Sequence, residues 1–356
     1  MSKQSRATVE TLSIICALVA SATFTPRFAT AQSDDGSSET ITKVATSSAQ
    51  FLKIGIGARA IGMGGSFVAA THDLSALYWN PAGLSAITGS AVQVAHTQYL
   101  ADIDYSYAAF GTSFGSYGTV AVALTILDSG TMPVRTLNVP EGTGEVFDVQ
   151  SFVAQLSYGK GLTDRFSIGG SAKFVRESIW HSSASTIAFD VGALFTTPYD
   201  RLRFGASISN FGSDMQMDGR DILFSEDPDQ QNEGNVEIVN ARYDMDSFPL
   251  PLIFRFGLSW DAVSMGDHTI AVSTDAAHPN DNSEYVNLGA EYDFRGLLAL
   301  RTGFKHLFEV DGEQGLTLGG GLNFRMDRAL SVKIDYAYAD FGRLEETHWF
   351  TLGMSF

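Results

Sequence analysis

From residue 90 to the end of the chain, apolar and polar positions alternate in runs of about ten residues, each closed by Gly, Asp, Asn or Pro. In one run Leu330, Val332, Ile334, Tyr336 and Tyr338 share a face, while Ser331, Lys333 and Asp335 share the other. In another, Leu252, Phe254, Phe256, Leu258 and Trp260 oppose Arg255, Gly257 and Ser259. Fourteen such runs are centred near residues 94, 109, 122, 154, 171, 191, 206, 256, 272, 288, 301, 320, 335 and 351. An even number of runs of this length fits tilted strands that cross a bilayer. The predicted fold is therefore all-β, a transmembrane antiparallel barrel of about 14 strands over residues 90–356.

A soluble β-sandwich also alternates, but two features oppose it. The small face is too rich in Gly and Ser for ordinary solvated surface, and the bulky face often ends in an aromatic such as Tyr158, Trp260 or Tyr338. The links give a further check: even-numbered ones are short, whereas residues 128–147 and 212–250 form long odd-numbered ones. Barrels of this kind keep short turns in the periplasm and long loops outside. That orientation predicts that the segment before the first strand, and the C-terminus, both start from the periplasmic end.

The N-terminus changes the picture from membrane to export. Lys3 and Arg6 precede the apolar run Leu12–Ala20, and Ala29-Thr30-Ala31 offers a small-x-small cleavage site, so residues 1–31 read as a signal peptide and 32–50 as an N-terminal periplasmic segment. Cys16, the single cysteine, lies inside that signal, which excludes disulfides and cysteine-held metals from the mature chain. Only 18% of residues are charged, and the net charge of -17 argues against nucleic acid as a partner.

Residues 51–89 lack alternation, are apolar, and carry Gly55, Gly57, Gly62, Gly64 and Gly65 ahead of Asn80-Pro81. Their short motifs are weak: Gly55–Ala60 fits a dinucleotide fingerprint with no βαβ unit behind it, and Gly111-Thr-Ser113-Phe-Gly115 fits a nucleophile elbow at a hairpin end. A hatch inside the lumen accounts for the segment better. Glycines permit tight folding there, and irregular backbone at membrane depth must be surrounded by protein or water.

Within these residues, "GARAIGMGGSFVAATHDLSALYWNPAGL" resembles the hatch of the FadL-like outer-membrane barrels, in which an Asn-Pro-Ala element (here Asn80-Pro81-Ala82, followed by Gly83) is a hallmark. It is more similar to the PorV/PorQ branch, through Arg59 in the GARA block, an acidic residue at Asp73 and the YWNPAGL run; His72 departs from that branch, which more often has a small or acidic residue there. The resemblance implies a Gram-negative, Bacteroidota-type outer-membrane protein of type IX secretion. Its implied partners are outer-membrane lipid, a translocon barrel, cargo proteins and a surface attachment complex. Classical FadL-like members instead move long-chain fatty acids or other hydrophobic small molecules.

The residues bear on that choice. Lys173, Asp190, Arg203, Arg255, Glu291, Arg301, Lys305, Lys333 and Asp335 fall on the inner face, so the lumen is no greasy tunnel, and these charges are expected to pair with one another and with the hatch. The link after the seventh run is acidic, with Asp214, Asp218, Asp221, Glu226, Asp227, Asp229, Glu233, Glu237, Asp244 and Asp246 against Arg220 and Arg242. It reads as a solvated loop or as a docking surface for a basic partner, and its spacing lacks a calcium loop's glycine and terminal Glu. The last run sets Phe350, Leu352, Met354 and the terminal Phe356 on one face, which resembles the C-terminal signature of Gram-negative outer-membrane proteins and so implies the barrel-assembly machinery as a partner. The seven histidines form no catalytic motif; a hydrolase would need a Ser–His pair at the membrane surface. The expectation is a carrier or accessory barrel with no cofactor, no metal and no enzymatic activity, with a FadL-type transporter as the alternative.

Overall fold

Strict alternation gives every strand one bulky and one small face, and such strands are stable in lipid only if no backbone edge stays open. The computed structural model, which describes residues 44, 46–199, 201–227, 238–309, 312–326 and 330–356, meets that demand by closing a ring. Its strands are β1 (Ser90–Gln98), β2 (Asp104–Ser113), β3 (Thr119–Pro133), β4 (Val146–Thr163), β5 (Phe166–Ile179), β6 (Ser182–Thr196) and β7 (Leu202–Gly212). The second half supplies β8 (Ile253–Met265), β9 (His268–Pro279), β10 (Tyr285–Phe294), β11 (Leu298–Leu307), β12 (Leu316–Arg325), β13 (Ser331–Asp340) and β14 (Glu346–Ser355).

Each strand pairs antiparallel with its chain neighbours, and β1 pairs with β14 from Ala91↔Ser355 to Gln98↔His348. All fourteen expected centres fall inside these strands. Bulky residues such as Phe110, Leu156, Phe174, Phe256, Ile334 and Phe350 point outward and stay exposed, as a lipid-facing wall requires. The signal peptide expected at 1–31, with Cys16, lies outside the described residues.

The two long links are partly structured. β3 and β4 continue past a register shift between Asp128 and Thr131, which narrows the expected 128–147 link to 134–145. The link between β7 and β8 contains two small antiparallel pairs, Met215–Gln216 with Ser247–Phe248 and Leu223–Glu226 with Val239–Arg242.

One expectation needs correction. Residues 46–50 do not lie at the end of the barrel that holds Phe356; they lie at the end that carries the long links. Ser47, Gln50 and Lys53 all bond the carboxylate of Asp281 in the β9–β10 link, with Lys53 Nζ at 3.2 Å. The Ser48 N–H donates to Pro249 O at 2.9 Å, and the Ala49 N–H to Glu177 Oε2 at 3.1 Å. From there the chain runs down the lumen as a 3-10 turn (Gln50–Lys53), α1 (Ala58–Gly62), α2 (Ala76–Trp79) and a second 3-10 turn (Pro81–Ala86), and joins β1 at the opposite end. A glycine-rich run without periodicity carries no signal for its direction. The convergence of polar groups on Asp281 fixes it.

Candidate functional site

The inner segment is held by the wall at backbone level. Gly159 on β4 and Gly169 on β5 face Pro81, Gly192 on β6 faces Asn80, and Gly205 on β7 and Gly257 on β8 face Val68. Gly289 on β10 and Gly303 on β11 face Met63 and Gly64, and Gly319 on β12 faces Gly62. Reading the small face as glycine-rich was possible from sequence; seeing that each wall glycine seats a particular turn of the inner segment was not. On the segment's side, Gly64 has φ +65°, and a Cβ there would stand 2.5 Å from Leu288 O and 2.7 Å from Phe304 N. Gly57 and Gly65 also take positive φ, whereas Gly55, Gly62 and Gly83 are confined by Trp79, Gly319 and Thr71.

Asn80 is fully buried and uses its whole amide: Nδ2 donates to Val68 O and Ala193 O, both at 3.0 Å, and Oδ1 accepts from the Ala82 N–H at 3.1 Å. That last bond caps the 3-10 turn, which begins with Pro81, a residue whose missing N–H costs nothing at this position. Sequence reasoning missed Asp275 on β9, whose Oδ2 accepts from the Phe67 and Val68 N–H groups at 2.6 and 2.8 Å. It also missed the large inward residues Tyr105, Tyr107 and Trp349. The Tyr107 hydroxyl donates to Leu74 O at 2.8 Å, and Tyr105 to Ile54 O at 3.2 Å.

Most of the inner-face charges are brought together. Arg59 on α1 bonds Glu291 at 2.7 and 2.8 Å, Glu291 accepts from Arg301 Nε at 2.6 Å, and Arg301 Nη1 reaches Asp335 at 2.6 Å. Asp73 lies 3.6 Å from Arg59 and accepts from the Ser75 N–H, and Arg59 also donates to the His72 ring. Lys173 meets Asp190 at 2.6 Å; Asp190 also accepts from the Asn210 N–H where the β6–β7 ladder shifts register. Arg255 lacks a carboxylate partner among the described residues and instead faces the rings of Tyr78 and Trp79, 5.5 and 5.7 Å from their centroids. Lys305 is buried and faces Phe341. Arg203 pairs with Asp261 near the short-link end, apart from the chain of ion pairs, and Lys333 pairs with no described carboxylate.

Elsewhere the predicted residues do not form one site. Asp218 pairs with Arg242 and Asp221 with His181, so part of the acidic link's charge pins the loop itself; Asp214 and Glu226 are exposed. Asp229, Glu233 and Glu237 lie outside the described residues, which contain no cluster of metal-ligating side chains. Phe350, Leu352, Met354 and Phe356 point outward on the last strand. A Ser–His pair does exist on the outer wall, where His96 Nδ1 lies 3.0 Å from Ser106 Oγ, with Asp104 3.7 Å from the other nitrogen. That third distance is too long for an orienting hydrogen bond, and the strand N–H groups around it are spent on the β1–β2 ladder, which leaves no oxyanion donors.

A closed, antiparallel, fourteen-stranded wall with a bulky outer face and a packed interior defines an outer-membrane β-barrel. The chain belongs to the family described as "Type IX secretion system protein PorV", which it matches over residues 37–221. In fold it is similar to the toluene transporter TodX of Pseudomonas putida (TM-score 0.54, 11% identity, 85% of this chain and 97% of that one). It is also similar to the toluene transporter TbuX of Ralstonia pickettii (TM-score 0.51, 13% identity, 84% and 97%) and to the CymD monoaromatic hydrocarbon channel (TM-score 0.52, 13% identity, 85% and 98%). No curated protein matches it in sequence.

Proposed function

We propose that this barrel is a carrier in type IX secretion that conducts nothing through its own lumen and catalyses no reaction. It receives cargo from the translocon at its long-link face and passes it to a surface attachment complex. The observation that carries this reading is the filled lumen. The inner segment is seated against glycines of eight strands, and the Arg59–Glu291–Arg301–Asp335 chain ties α1 to β10, β11 and β13. A hydrophobic solute would have to break buried ion pairs, at about 3–5 kcal/mol when one partner is lost, before it found an apolar path. Cargo handled at the rim by exposed loops meets no such barrier, and exposed acids such as Asp214 and Glu226 suit a basic partner.

The test is deletion of the gene in a host that secretes by this route, followed by complementation. Loss of surface cargo bearing the C-terminal secretion signal, restored by the wild-type chain with fatty-acid and toluene uptake unchanged throughout, is the expected result. Normal secretion together with lost uptake would establish the FadL-type transporter instead.

A further inference from the structure

At the short-link end, where the inner segment meets β1, β13 and β14, there is a cavity of about 160 Å³ rimmed by Thr88, Ser331 and Ser355. Its charged lining is largely committed. Asp335 accepts from Arg301, Asp73 accepts from Ser75 and lies beside Arg59, and Arg59 is bonded to Glu291. Two polar groups in the lining are not. Gln93 is only 6% exposed, yet its amide makes no hydrogen bond to any described residue. The ammonium of Lys333 feels the charge of Asp73 across the cavity but has no described carboxylate within ion-pair distance.

The amide of Gln93 opens onto the cavity, as does the ammonium of Lys333, so both present free donors to whatever occupies it. Alternation aims both inward from neighbouring parts of the wall, since Gln93 lies on β1 and Lys333 on β13, with β14 between them. Both can donate, so the group that satisfies them together must accept hydrogen bonds and carry negative charge. The cavity has room for such a head with a few parent atoms, but not for an acyl chain.

We propose that this mouth binds a small oxyanion, a carboxylate or a phosphate group, through Lys333 Nζ and the Gln93 amide. The anion enters from the face opposite the long links, so the site works independently of cargo handling at the other face.

The test uses the full barrel in detergent, with the Gln93 side-chain amide resonances assigned by their loss in Gln93→Leu. Sodium phosphate and sodium acetate are titrated separately at constant ionic strength. Saturable shifts of that amide with either salt are expected, and the salt that saturates first identifies the head group. Lys333→Met should weaken binding by about tenfold or more, the equivalent of about 1.4 kcal/mol, and Gln93→Glu, which puts a carboxylate where the anion would sit, should abolish it. Arg165→Gln, an exposed charge in the β4–β5 turn, should leave it unchanged. Each variant is first shown to run as a heat-modifiable barrel. Absence of saturable shifts with both salts, or equal affinity in Lys333→Met and wild type, would overturn the site.

Discussion

The guanidinium of Arg59 donates to both carboxylate oxygens of Glu291, at 2.7 and 2.8 Å, and so binds α1 to β10 across 232 positions of sequence. Both side chains are largely shielded, and Glu291 also serves Arg301. Removing Arg59 takes two charge-assisted hydrogen bonds from a shielded carboxylate that keeps Arg301 as its other partner, so Arg59→Ala should cost about 1.5–3 kcal/mol locally. Hydrogen exchange checks this: amides of 58–70 should exchange faster while those of β10 and β11 keep their protection. Unchanged exchange in the inner segment would mean that the ion pair does not hold it.

Gly64→Val tests the seating of the segment by sterics instead of charge. A side chain at positive φ costs about 1 kcal/mol or more, and this one would also meet Leu288 O and Phe304 N. The strands should still form, because their ladders do not involve Gly64. Intact cells carrying the variant should admit large antibiotics that the wild type excludes. Asn80→Ala, which removes three hydrogen bonds at the other end of the segment, should do the same. Wild-type exclusion in both variants would reject the plug.

The strands were legible because a period of two is a local property: each run shows its faces without reference to any other. The segment at 51–89 was legible only as apolar and glycine-rich. Its direction through the lumen depends on Asp281, more than 200 residues away, and no local pattern reports that. The inner charges could be assigned to a face but not to partners, since Asn210 reaches Asp190 only through a ladder shift. Tyr105, Tyr107 and Trp349 were hidden for a different reason. Alternation gives them to the inner face, but their size suits the outer one, and only their packing in one buried cluster with Leu74, Leu77, Tyr78 and Trp79 of the inner segment explains their place.

The direction of the segment can be tested with thiols. Val44 is 59% exposed, and the residues that follow it are clasped at the long-link end. Cysteine at Val44 should therefore react with an impermeant maleimide on the same face as cysteine at Asn138, and cysteine at Asp164 on the other. On intact cells with the long links outside, the first two label and the third does not. Labelling of Asn138 without Val44 would refute the threading while preserving the orientation.

That clasp should also respond to acid in a defined direction. Burial pushes the Asp281 carboxyl up, but bonds from Ser47 and Gln50 and the charge of Lys53 outweigh it and hold the group below the usual carboxylate range. A carboxylate depressed in the folded state contributes stability that is complete above its unfolded pKa, about 3.9, and is lost as pH falls through the folded value. The segment around residues 47–53 should thus stay protected at mildly acidic pH and open only below the ordinary carboxylate range. In Asp281→Asn the protection should be weaker at neutral pH and should lose that acid step. An opening midpoint at or above the ordinary range would count against the clasp.

Ring closure and the expected assembly signal meet on the last strand, and the two can be separated. The Phe356 N–H donates to Ser90 O at 2.8 Å and its carbonyl accepts from the Ser90 N–H at 2.7 Å, so the final residue finishes the β1–β14 seam with its backbone. Its ring points outward and is 54% exposed, in line with Phe350, Leu352 and Met354. Deleting Phe356 removes both closing bonds, each of about 0.5–1.5 kcal/mol, together with the ring. Phe356→Ala removes the ring alone. If assembly machinery reads the outward aromatic, both variants should accumulate poorly in the outer membrane and be degraded, although the alanine variant keeps its seam. Quantifying heat-modifiable barrel in outer-membrane fractions distinguishes the cases. Normal levels for Phe356→Ala with reduced levels for the deletion would assign the terminal residue to ring closure and remove it as an assembly signal.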